Sequence, residues 1–159
     1  MKRNAILFCL LLIAAGPLLA QSDNDVASCL RACLQAPELE TAFTQEWGTL
    51  RPLYLRKRGV PGSSNRPTDE QVNRLTAEDF QGLPWMVVPV TQEEIYQLPR
   101  DEVEFAIFEA GIGFREGHAT VNLFINLPRY PRKWMTASFL LEKEGEKWAV
   151  QEKTIEFRP

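Results

Sequence analysis

Apolar and polar residues alternate through the C-terminal half of the chain, and the alternation fixes a register. With a two-residue turn at Glu116-Gly117, Ile112 faces Val121, Ala110 faces Leu123, Phe108 faces Ile125 and Ala106 faces Leu127. Every member of that face is apolar, and a one-residue slip would send the whole set to the other face, so the hairpin is strongly specified. A second turn placed at Glu144-Gly145 sets Leu141 against Trp148 and Phe139 against Val150. Beyond it the apolar positions move from even to odd numbers, at Ile155 and Phe157, which predicts a β-bulge near Glu152 and Lys153. One sheet face is therefore a core face, carrying Phe108, Ile112, Val121, Leu123, Ile125, Met135, Phe139, Leu141, Trp148 and Val150.

The N-terminal third has helical spacing instead. Val26, Cys29, Leu30, Cys33 and Leu34 recur on one face, and after Pro37 so do Leu39, Phe43, Trp47 and Leu50. Pro37 suits a first helical turn, and Pro52 ends or kinks the second helix. Residues Arg56 to Pro67 carry glycine, proline, serine and asparagine without apolar periodicity and predict a loop. Thr68 with Gln71 is a capping-box pattern for a short helix to about Ala77, and Thr91 with Glu94 is another, ahead of Ile95, Tyr96 and Leu98. Trp85 to Val90 predicts a strand that Pro89 confines to a sheet edge. The expected fold is α+β, with N-terminal helices packed on a curved, four- to five-stranded antiparallel sheet.

The other sheet face is mixed. Phe105, Ile107, Glu109, Gly111 and Gly113, then Thr120, Asn122, Phe124 and Asn126, then Trp134, Thr136, Ser138 and Leu140, and finally Gln151 and Lys153 are assigned to it. A half-apolar face rimmed by polar groups has the composition of a partner or homodimer interface. The candidate binding residues are Phe105, Glu109, Asn122, Phe124, Asn126, Trp134 and Thr136, with Arg129 and Arg132 at the border.

The first twenty residues add a location. Lys2 and Arg3 form a positive start, Ala5 to Leu19 an uncharged apolar stretch, and Ala20 a small-residue cleavage site. At about 15 residues the stretch falls short of the roughly 20 that a membrane span needs, so residues 1–20 read as a signal peptide and 21–159 as one exported domain, periplasmic or secreted, with no membrane span in the mature chain. The whole chain has a net charge of −3, and loss of Lys2 and Arg3 makes the mature domain more acidic, which points away from nucleic acid.

Three cysteines are present, and Cys9 leaves with the signal. Cys29 and Cys33 are candidates for a bridge, but at i and i+4 of a regular helix their Cβ atoms stand about 5–6 Å apart, against the roughly 3.5–4.5 Å a disulfide needs. Bridge, free thiols and intermolecular pairing stay open, as does lipidation at Val26-Ala27-Ser28-Cys29, a lipobox-like run separated from the apolar stretch by acidic residues.

Catalytic chemistry is thinly supplied. His118 is the sole histidine and falls beside the predicted hairpin turn, where a solvated role is expected. Glu109 would face Phe124 across the hairpin with no second carboxylate opposite it, which suits an outward-facing glutamate bonded to its neighbours better than an acid or base. Arg56-Lys57-Arg58 with Arg66, and Arg129 to Lys133, are basic clusters able to hold a carboxylate or phosphate, and the second borders the mixed face. Gly111-Ile112-Gly113 lacks the following helix of a dinucleotide site. No metal or cofactor is expected.

The order of helices, strand, short helix and long antiparallel strands resembles the NTF2-like and cystatin-like superfamily over about residues 38–157. The closing hairpin, with its Glu-Gly turn followed by Lys147-Trp148, is similar to that of many such domains. The resemblance implies a cone-shaped fold with a pocket between helices and sheet, often dimerising through the outer face, and enzymatic members place ionisable residues in that pocket. Here the helix-covered face is almost wholly apolar, which favours a non-catalytic binding protein: an envelope adaptor, inhibitor or assembly factor acting on a protein partner, a second copy or a small ligand. The alternatives are a small enzyme of NTF2-like type and a structural subunit of a surface assembly.

Overall fold

The computed structural model describes residues 23–48, 52–58, 67–98, 105–128, 130 and 132–158. The signal segment, most of the predicted loop, Leu50, Arg66 and Arg129 lie outside them. In chain order the elements are α1 (Asp23–Leu34), α2 (Pro37–Trp47), β1 (Leu53–Arg56), α3 (Pro67–Arg74), a 3-10 turn (Ala77–Phe80), β2 (Val87–Val90), α4 (Gln92–Gln97), β3 (Ala106–Arg115), β4 (His118–Asn126), β5 (Trp134–Glu144) and β6 (Lys147–Arg158).

The strands form one six-stranded sheet in the order β2-β1-β3-β4-β5-β6. The α+β class holds, but the sheet is mixed where an antiparallel one was expected, because β1 runs parallel to both β2 and β3. Strand β1 lies at the edge of the segment read as a loop. Its four residues are too few for periodicity, and parallel pairing is made with distant segments that leave no local turn signal. Strand β2 is the edge strand that Pro89 requires.

The long hairpins follow the alternation. Ile112 pairs Val121, Ala110 pairs Leu123 and Phe108 pairs Ile125 about the Glu116-Gly117 turn, where both residues have positive φ, 20° and 76°. The second turn is displaced by one residue from expectation: it is Gly145-Glu146, so Leu141 pairs Val150 and Lys143 pairs Trp148. Gly145 takes a φ of 65°, and that left-handed position, which glycine adopts without cost, sets the turn. The bulge lies where the pairing passes from Leu141–Val150 to Leu140–Glu152, two residues short of Lys153. It turns the rest of β6 over, so Lys153 reaches Glu38 of α2 at 2.7 Å and belongs to the helix-covered side, not to the outer face assigned to it.

Helices α1, α2 and α3 cover the inner face. Val26, Cys29, Leu30, Cys33 and Leu34 of α1 and Leu39, Phe43 and Trp47 of α2 are buried against Phe108, Val121, Met135, Phe139 and Leu141. Phe43 meets Trp47 and Trp85 edge to face, at 4.9 and 5.2 Å between centroids. The Trp85 indole donates to the Leu34 carbonyl at 2.6 Å, and Arg31 donates to the carbonyls of Asp79 and Gln81, tying the 3-10 segment to α1. Among the described residues these side chains fill the space between helices and sheet as a core, where the NTF2-like resemblance implies a pocket.

Candidate functional site

The outer face is divided in two by α4. Thr91 caps this short helix, accepting from Glu94 N at 3.2 Å while Glu94 Oε2 accepts from Thr91 N at 2.7 Å, the capping box that the sequence pattern predicts. So started, the helix lays Ile95 onto Val90, Phe105 and Ile107, a second and smaller core beneath it. Phe105 is only 4% exposed and stacks edge to face on Tyr54 at 5.3 Å, so it is a structural residue of this small core and leaves the candidate interface.

The other half, over β3, β4 and β5, is left uncovered by the described residues. Phe124 stands 39% exposed, with Glu109 opposite it on β3 and Thr136 opposite it on β5. Its ring lies 6.1 Å from that of Trp134, which pairs with Asn126 across the strands. Asn122 accepts from the Ser138 hydroxyl at 2.8 Å. Arg132 is exposed in the β4–β5 connection and does not line the groove described next.

Along the flank of α4 the step between the two halves makes a groove of about 340 Å³, lined by Arg56, Gln92, Ile95, Ile107, Phe124, Asn126, Pro128 and Trp134. It adjoins a basic cleft of about 500 Å³ formed by Arg56, Lys57, Arg58, Gln92 and Glu109. Arg56 follows the pair Leu55–Phe108 along parallel strands and so comes level with Glu109. Its Nη1 donates to Glu109 Oε1 at 2.6 Å, and Arg58 Nη2 lies 3.4 Å from Glu109 Oε2. The Arg58 backbone is clamped by Asn73 of α3, which accepts from its N–H at 2.9 Å and donates to its carbonyl at 2.8 Å.

Sequence reasoning favoured the basic cluster at Arg129 and Arg132, whereas the described groove is bordered by the Arg56 cluster. Arg129 lies outside the described residues, and Arg56, which the sequence places at the start of a loop, is the last residue of β1.

Other candidate groups are placed apart from this groove. His118 is exposed at the start of β4, its Nδ1 3.0 Å from the Glu116 carbonyl oxygen. Cys29 and Cys33 are buried thiols on α1. Burial first, and the Asp25 carboxylate second, push the Cys29 thiol up to about 12; burial and then Cys29 raise Cys33 as well. Neither is a thiolate nucleophile near neutral pH. Among the described residues no three His, Cys, Asp or Glu side chains are gathered for a metal ion, and no helix is long and apolar enough to cross a membrane.

What the groove offers is recognition by shape and charge: two aromatic rings, a shallow apolar floor and a pair of guanidinium groups sharing one carboxylate. Comparisons with protein-family models, curated proteins and solved structures gave no match to this chain.

Proposed function

We infer that this chain is an exported, non-catalytic binding protein that engages its partner through the uncovered half of the outer sheet face. The observation that carries the reading is the half-exposed Phe124–Trp134 pair beside the Arg56–Glu109–Arg58 cluster, on a face that the fold's own helices leave open. A few aromatic and arginine side chains carry most of the energy in typical binding surfaces. Export is supported by the charged start and apolar stretch of residues 1–20.

The test is crosslinking capture by the tagged mature protein in its own host's envelope, run beside Phe124→Glu and Trp134→Glu. The expected result is a stoichiometric species, a partner or a second copy, that both variants lose while their circular dichroism is unchanged and their melting falls by only a few degrees. Equal recovery by wild type and both variants would overturn the reading.

A further inference from the structure

We propose that the groove and the adjoining basic cleft together form a binding site for a small amphipathic carboxylate, with its head on Arg56 and Arg58 and its alkyl or aryl body on Ile95, Phe124 and Trp134. The inference rests on the outer face being a binding surface and adds the chemistry of what it holds.

The head group follows from unspent donors. A guanidinium carries about five N–H donors in a planar fork, and Glu109 meets each arginine through only one nitrogen. Both arginines remain partly open to solvent, with side chains 42% and 36% exposed. Arg58 Nε is buried without a partner among the described residues, and so is Gln92 Oε1 in the same cleft. An oxyanion in the cleft meets the Nη donors of these two partly exposed arginine side chains.

Charge selects the kind of anion. Arg56 and Arg58 face the single carboxylate of Glu109, and Lys57 lies within electrostatic reach of Glu94. Among the described residues what is left over is about one positive charge, which suits a monoanion better than a phosphate dianion. A carboxylate also matches the planar fork in bidentate geometry. The body follows from the groove itself: its floor is Ile95 and Ile107, its wall Phe124 and Trp134, and its volume of about 340 Å³ stands at the small end of the range of ligand pockets, roughly 300–1,000 Å³. The length of a short acyl or aryl chain fits it, and a folded protein domain does not enter it.

The probe is octanoate, titrated into the mature protein by calorimetry and by two-dimensional amide spectra, beside acetate, octanol and octyl phosphate. Octanoate is expected to saturate at one site, with acetate and octanol each at least tenfold weaker. Arg56→Gln and Arg58→Gln should each weaken octanoate about tenfold without changing the melting temperature, and Trp134→Ala should do so while leaving the weak binding of acetate as it is. Octanoate no tighter than octanol, full affinity in Arg56→Gln, or octyl phosphate bound more tightly than octanoate would each overturn the proposal. If it fails while Phe124→Glu still abolishes partner capture, only the carboxylate assignment falls; if capture is also indifferent to that variant, the binding face falls with it.

Discussion

The carboxylate of Asp25 accepts a hydrogen bond from the indole Nε1 of Trp148 at 2.9 Å, across 123 positions of sequence. The same oxygen accepts from Lys143 Nζ at 2.8 Å, and that ammonium sits 5.4 Å from the centre of the Trp148 ring. One acid in the first turn of α1 thus fixes the helix to the last hairpin. Asp25→Ala leaves a nearly buried indole N–H unpaired and should cost about 1–3 kcal/mol in urea unfolding. Asp25→Asn keeps an acceptor and should cost less. An alanine variant as stable as wild type would mean that the contact contributes nothing to the docking of α1.

Much of this arrangement is legible in the sequence. The inward faces of α1, α2 and β3 to β5 follow from period alone, because each long element repeats its pattern often enough to fix a face. The Glu116-Gly117 turn and the Thr91–Glu94 box are local chemistry and were readable as such. Three features were not. Strand β1 has four residues and pairs in parallel with segments far along the chain. The 3-10 turn at Ala77–Phe80, with its own capping box of Thr76 and Asp79, is too short to show a period. The placing of α4 on the outer face hid Phe105 and created the groove, and no local pattern tells a strand residue which side a later helix will take.

The buried thiols predict how stability changes with pH. Both native values lie above the ordinary 9.0, Cys29 at about 12, with burial as the first cause. As pH rises through 9 the unfolded chain gives up its thiol protons while the native chain keeps them, so the native state binds more protons. This stabilisation is complete below the unfolded value and is lost above it, at about 1.4 kcal/mol per pH unit for each thiol. Urea unfolding at pH 8 and 10.5 should show a fall that shrinks in Cys29→Ala/Cys33→Ala. Iodoacetamide at pH 8 should label the native thiols at least a hundredfold more slowly than in urea, and no labelling even in urea would mean that the pair is bridged.

The groove depends on the start of α4. Thr91 is the residue whose side chain meets a free N–H of that helix, and loss of an N-cap costs about 1 kcal/mol. Thr91→Ala should loosen α4 over the outer cluster while the main core stays intact. Hydrogen exchange is the measurement: amides of Ile95 and its neighbours should lose protection while those of β4 and β5 keep theirs. Uniform loss across the sheet would show that the two cores unfold as one unit.

Phe108 and Phe124 lie on neighbouring strands and opposite faces, and the contrast between them separates folding from binding. Phe108 is fully buried between sheet and helices, so Phe108→Ala removes a ring from a closed core and should cost about 3–5 kcal/mol. Phe124 is 39% exposed and its ring lies tilted beside that of Trp134, 6.1 Å between centroids, so Phe124→Ala should cost about 1 kcal/mol. Parallel urea titrations of the two variants decide the matter. A small cost at Phe124 together with a lost partner means that the ring is held exposed for recognition. A cost equal to that of Phe108 would mean that the outer face is a second core, and the ligand and partner surfaces would have to lie elsewhere on the molecule.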